Sequence, residues 1–187
     1  IYAATIDPHA FTATFRVEDR DASLGGSYVV TGRVDGEEFA YAGTIRAAPD
    51  DGHLDLAAMN CQKVYTGGLK WNHDGLWLPH VESVDAVASH DPDMLFFAGD
   101  QIYEGDLTPV DGRGGERTRL DYLDKWYRWC WAFGALTRDR PTVVIPDDHD
   151  VYHGNIWGAG GRKAQKTDNL SAQDSGGYKM PPDFVNM

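Results

Sequence analysis

Asp93-Met94-Leu95-Phe96-Phe97-Ala98-Gly99-Asp100-Gln101-Ile102-Tyr103-Glu104 is the stretch from which the rest of this chain can be read. Met94 to Ala98 is an uninterrupted apolar run, the pattern of a strand buried on both faces of a mostly parallel sheet. It breaks at Gly99 and at once presents Asp100, Tyr103 and Glu104. In open α/β sheets ligands collect in the crevice beyond the carboxyl ends of the strands, so these side chains are expected in a concave site.

The same design recurs on either side. Thr142 to Ile145 is a short run rich in β-branched residues that ends in Pro146-Asp147-Asp148-His149-Asp150. Upstream, Leu54 to Met59 runs into Asn60-Cys61-Gln62. Three expected strands thus end in a thiol, a carboxylate with a phenol, and a carboxylate–histidine cluster. Between them the spacing predicts helices. Val81 to His90 has helical periodicity at Val81, Val84 and Ala88, and Pro92 closes it. Arg119 to Leu136 carries Leu120, Leu123, Trp126, Tyr127, Cys130, Trp131 and Phe133 at i, i+3 and i+4 spacing, which predicts an aromatic core face. Two βαβ crossovers follow, and the class is α/β with mostly parallel strands.

Residues 1 to 50 read differently. Ala10 to Val17, Ser27 to Val34 and Glu38 to Ile45 alternate, with turn signals at Gly25-Gly26, Asp35-Gly36 and Pro49 to Gly52. Asp35-Gly36 is a two-residue hairpin signal. We expect four short strands, a partial immunoglobulin-like β module ahead of the α/β part at 51–187. No candidate site residue falls in it.

The 187 residues suffice for one domain or slightly more. A formal charge of −12 argues against nucleic-acid backbones or anionic membranes as general partners. An anionic substrate would need bound cations to offset that field, which favours metal-dependent chemistry. No apolar run approaches a membrane span, and no basic-then-apolar leader is read in the chain. Two cysteines are too few for a disulfide framework; Cys130 is expected to be a buried small hydrophobe.

The strand-end residues suit a two-metal centre. A carboxylate such as Asp100 can bridge two ions about 3.5–4 Å apart, which together activate water and clamp a phosphoryl group. Asp148 offers an oxygen ligand, and His149 beside the leaving group offers a general acid or electrostatic stabiliser. Cys61 and Tyr103, once deprotonated, favour trivalent iron over zinc or magnesium. Each has a structural alternative: an inert thiol for Cys61, a core phenol for Tyr103, a turn carboxylate for Asp100 and a surface loop for Asp148-His149. Asp147 and Asp150 suit a supporting role, because one short turn cannot aim every side chain at one metal.

Gly99-Asp100-Gln101-Ile102-Tyr103-Glu104 and Asp147-Asp148-His149-Asp150 resemble the signatures of the PhoD-like (alkaline phosphatase D) metallophosphatases, a branch of the calcineurin-like metallophosphoesterases. Asn60-Cys61-Gln62 is similar to the cysteine motif that this branch carries where most relatives have Asp-x-His. The resemblance covers roughly residues 54 to 161. It implies a partial metallophosphoesterase-type layered fold and a phosphate mono- or diesterase acting through a metal-bound hydroxide. It also implies iron (Fe3+) and calcium as cofactors, other divalent metals being alternatives, and an extracytoplasmic or secreted setting. On the same resemblance Cys61, Asp100 and Tyr103 hold the iron, Asp100 bridges, Asp148 and Asn155 serve the second metal, and His149 is catalytic. The family takes further Asp and His ligands from strands well downstream of the Asp-His motif. We therefore expect a fragment, with the C-terminal half of the domain as its missing partner. The competing expectation is a non-catalytic binding or scaffold module built from a β domain and a degenerate α/β half.

Overall fold

The computed structural model describes residues 1–64, 76–109, 111 and 115–151. The chain divides into two compact units, Ile1–His53 and Leu54–Met187. In the first, β1 (Gly26–Val34) and β2 (Glu37–Ile45) form an antiparallel hairpin whose register runs from Gly26 opposite Ile45 to Val34 opposite Glu37. Its turn is Asp35-Gly36, with φ of 51° and 86°. Positive φ at both central residues lets the turn follow the right-handed twist of the flanking strands, and this pair of residues tolerates it.

Two strands stand where four were expected, and they correspond to two of the three alternating stretches. Ala10 to Val17 forms no strand. Alternation makes a strand only where an edge supplies partners. Here the local hydrogen bonds go elsewhere: the Asp7 carboxylate accepts from the N–H groups of His9 and Ala10, each at 2.8 Å, and Phe11 N–H bonds to the Asp7 carbonyl at 2.9 Å.

The second unit is α/β. Its strands β3 (Leu56–Met59), β4 (Met94–Phe97) and β5 (Thr142–Val144) form a parallel sheet in the order β3-β4-β5. Helix α1 (Val81–Ser89) joins the first two strands and α2 (Gly115–Thr137) the second two. Register places Ala57, Leu95 and Thr142 on one face, with Met59, Phe97 and Val144 a pleat further on. That face meets the helices. Leu95 and Phe97 are fully buried, and the Phe97 ring stands edge-on to Trp129 at 4.8 Å and to Phe133 at 5.4 Å. Such edge-to-face pairs add about 0.5–1.5 kcal/mol to the area they bury. On the opposite face Leu56, Val143 and Ile145 are exposed.

The core seam of α2 is turned from the one the periodicity predicted. Its buried residues are Thr118, Lys125, Trp129, Ala132, Phe133 and Leu136, with Tyr122 and Trp126 packed alongside. Tyr127 and Trp131, read as core, are exposed, and so is Cys130. Aromatic residues surround this helix, so residue type alone could not orient it; the position of β4 chooses Trp129 and Phe133. Lys125 is drawn in because its ammonium is paired, 2.7 Å from Asp121 and 3.1 Å from the Thr108 hydroxyl. Both cysteines are free. No helix among the described residues is long and apolar enough to cross a membrane.

Candidate metal centre

The site forms where β3, β4 and β5 end. After β4 the chain turns sharply at Gly99 (φ 104°) and Asp100 (φ 53°). Gly99 is required there: a Cβ would lie 2.3 Å from Asp147 Cβ, far inside van der Waals contact. The loop after β3 is tied to this turn by Cys61 N–H to the Gly99 carbonyl at 3.2 Å and Gln62 N–H to the Asp100 carbonyl at 2.9 Å. Cys61 itself has φ 55°, which swings its side chain toward β4.

The loop after β5 is held by Asp150. Its carboxylate accepts from the N–H groups of Asp100 at 2.7 Å, Gln101 at 2.9 Å, Ile102 at 3.2 Å and Asp147 at 2.9 Å. Burial pushes its carboxyl above the ordinary range, and the N–H groups of Asp147, Ile102 and Asp100 work the other way. A short 3-10 turn, Asp148–Val151, then presents Asp148 and His149.

These ties bring the side chains from the three strand ends together. Asp100 Oδ2 receives the Tyr103 hydroxyl at 3.1 Å and the Cys61 sulfur at 3.7 Å. Asp100 Oδ1 accepts the backbone N–H of His149 at 3.3 Å. Asp100, Asp148 and His149 each offer a ligand atom, and these atoms lie within 4.8 Å of one another, close enough to share an ion. Asn155 lies outside the described residues.

His149 Nδ1 is 2.5 Å from Glu104 Oε2, and its ring lies 4.2 Å from that of Tyr103. Burial works to lower the imidazole pKa, but the Glu104 carboxylate, with Asp100 and Asp148 behind it, leaves it above the ordinary value. Burial raises the Tyr103 phenol, and the neighbouring Cys61 and Asp100 raise it further. Lys63 places its ammonium 4.4 Å from the centre of the Tyr103 ring and 3.6 Å from Asp106. Asp106 is buried, accepts Val64 N–H at 2.9 Å, and has its carboxyl raised by that burial against the lowering by Val64 and Lys63.

Glu104 and Lys63 had no assigned part from sequence, and Asp150 had only a supporting one without named partners. Glu104 was legible as a carboxylate at the strand end, but nothing in the chain's order shows that it meets His149. The strand-end pattern located the neighbourhood, and the contacts across loops assign the pairs.

A thiol, a phenol and a carboxylate oxygen converging on one point form a donor set suited to a cation, since together they would carry negative charge that only a cation offsets. The residues present therefore fit a bound metal.

No family model matches this sequence, and no curated protein matches it. Among solved structures, that of PhoD is similar at 18% sequence identity with a TM-score of 0.46. The match covers 80% of this chain and 28% of the PhoD chain.

Proposed function

We propose that this chain carries part of a metal-dependent phosphoesterase centre that hydrolyses a phosphate monoester or diester. The observation that carries the reading is the meeting of Cys61 Sγ and the Tyr103 hydroxyl on a single oxygen of Asp100, with Asp148 and His149 beside it. Cys61, Tyr103 and Asp100 would hold iron, with Asp100 bridging to a second ion served by Asp148 and, by the resemblance, Asn155. When bound, two such ions supply Lewis acidity and a water of lowered pKa. The module 1–50 is a separate β appendage in this reading, and 51–187 is the catalytic part.

The chain's own residues would do the rest. Glu104, accepting from Nδ1–H, keeps that proton on Nδ1 and leaves Nε2 as the nitrogen that gains and gives up the second proton. It also stabilises the imidazolium, so that Nε2 can give a proton to the departing alkoxide. Lys63 adds the cation nearest Tyr103 among the described contacts and favours approach of an anionic ester in a chain of net charge −12.

Metal analysis and turnover test this. Purified, oxidised protein should contain iron and be coloured by tyrosinate-to-iron charge transfer, and Tyr103→Phe should bleach it. Bis(p-nitrophenyl) phosphate should be hydrolysed by the wild type and not by Asp100→Asn. Colourless, iron-free protein removes the iron assignment. Metal-loaded protein that turns over neither monoester nor diester leaves the binding-module reading.

A further inference from the structure

Helix α2 carries a second apolar stripe besides the one that packs on β4. Its core side holds Thr118, Lys125, Trp129, Ala132, Phe133 and Leu136. At 3.6 residues per turn, Leu120, Tyr127 and Trp131 fall on the opposite side, and they are 43%, 72% and 61% exposed. Single exposed apolar residues need no explanation. Three large ones aligned along one helix make a patch, and a helix that is apolar on both sides is one built to be covered on both. Gly134 lies on the same stripe, where an added Cβ would meet nothing within 4 Å, so the helix leaves open space beside its backbone there. Opposite charges end the stripe. Glu116 stands in the first turn, and Arg138 closes the last one, its N–H bonded to the Gly134 carbonyl at 3.0 Å; both side chains are exposed.

We propose that this stripe is a self-association surface, at which α2 pairs with the α2 helix of a second copy of this chain, antiparallel about a two-fold axis at Tyr127. Reversed end for end, the stripe is its own complement. Glu116 and Arg138 are equidistant from Tyr127 along the helix, and so are Leu120 and Gly134. Each Leu120 then fills the space over the partner's Gly134, and each Trp131 packs between the partner's Leu120 and the partner's Tyr127. At both ends Glu116 faces the partner's Arg138. Parallel pairing sets like charge on like charge at each end and leaves a gap between two glycines. The helix macrodipoles also oppose one another favourably only in the antiparallel pair. Glu116 already pairs with Arg119 at 3.3 Å and Arg138 with Asp139 at 3.0 Å within the chain, so these exposed ends fix direction and add little affinity. Affinity comes from covering the rings. Three anchors from each copy make a contact of the weak class, with Kd on the order of 10 µM. A two-fold contact closes on itself and stops at the dimer. It uses none of the metal-centre residues, and so stands or falls apart from the phosphoester reading.

Sedimentation velocity on the full chain, from about 1 to about 200 µM, spans the expected Kd and tests the surface. The average mass should climb from monomer to dimer and go no further. Tyr127→Ser combined with Trp131→Ser should keep the chain monomeric throughout, and circular dichroism melts check that the variant folds. Gly134→Gln occupies the space that the partner's Leu120 needs. It should weaken the dimer about tenfold or more while favouring the helix itself, which separates lost pairing from lost folding. Glu116→Arg and Arg138→Glu should each weaken the dimer about three- to tenfold at low salt, and the two together should restore it. That recovery reports antiparallel register, since unspecific association of apolar surface has no reason to recover. A chain that stays monomeric at the highest concentration, or grows beyond the dimer, overturns the proposal. So does a dimer that survives the loss of both rings, or charge reversals whose combination recovers nothing.

Discussion

The Asp150 carboxylate lies 2.7 Å from the backbone N–H of Asp100, and this bond ties the β5 loop to the residue on which the whole site converges. The same carboxylate takes the next two N–H groups, Gln101 and Ile102, and closes its own turn through Asp147. Successive N–H groups facing one anion make a concave nest, which holds Asp100 at its positive φ. Asp150→Asn would leave a single acceptor oxygen and turn an NH2 group toward N–H donors. We expect a loss of about 1–3 kcal/mol of stability. Metal retention should fall with it, because Asp100 and Asp148 lose their common anchor. Urea melts and metal content per chain measure the two effects; a variant matching wild type in both would refute the role.

Glu104 and His149 form the shortest polar contact of the centre that joins separate strand ends, at 2.5 Å. Glu104→Gln keeps size and a hydrogen-bonding group but removes the charge that stabilises the imidazolium. Turnover should drop on the order of 10²-fold with KM little changed, the scale of a lost general acid. The alkaline limb of the pH profile should move as well, toward lower pH: His149 is held above its ordinary pKa partly by Glu104, so the variant's general acid loses its proton earlier as pH rises. Steady-state rates across pH check both. An unchanged profile would mean that the pair is structural.

Much of this arrangement was legible before any coordinates. The apolar run at Met94 to Phe97, ending in Gly99-Asp100, could only be a buried strand with a carboxylate at its end, and β4 lies there. Short strands broken by Gly and Pro leave little room for error in placement. The seam of α2 was not legible, because Trp126, Tyr127, Trp129, Trp131 and Phe133 offer several apolar faces and tertiary contact with Phe97 selects one. Ala10 to Val17 failed for a related reason: alternation states a preference for an edge that the chain does not provide there. The Glu104–His149 and Asp150–Asp100 pairs span long stretches of sequence, and no local pattern encodes such contacts.

His80 gives a pH signature of stability. Its pKa lies below the ordinary histidine value of about 6.5 because burial disfavours the charged ring, with Asp106 pulling the other way. The unfolded chain therefore binds this proton more readily than the folded one. Above the unfolded value neither state is protonated and His80 contributes no pH dependence. As pH falls through 6.5, unfolding is favoured by proton uptake and stability declines. His80→Asn tolerates the φ of 60° at this position and removes the titration. Its urea midpoint should fall less than that of wild type between neutral and mildly acidic pH. Parallel curves for the two proteins would show that burial of His80 does not couple to folding.

Gly99 and Gly134 make a paired test with opposite signs. At Gly99 a methyl group would meet Asp147 Cβ at 2.3 Å and Asp147 N at 3.0 Å, with φ at 104°, where side chains are strained whatever the space. Gly99→Ala must either force the β4 and β5 ends apart or distort the turn that carries Asp100. We expect about 2–4 kcal/mol of destabilisation, at the large end for a single methyl, since backbone strain and overpacking coincide. Separation of Asp147 from Gly99 also carries Asp148 away from Asp100, so bound metal should be lost before the fold is. Gly134 lies within α2, where an added methyl meets nothing within 4 Å. Gly134→Ala should stabilise by about 0.5–1 kcal/mol through helix propensity alone and leave metal content unchanged. Denaturant melts with metal analysis on the two variants separate site geometry from general stability. Metal loss in Gly134→Ala, or its retention in a destabilised Gly99→Ala, would show that closeness of the β4 and β5 ends is not what holds the centre together.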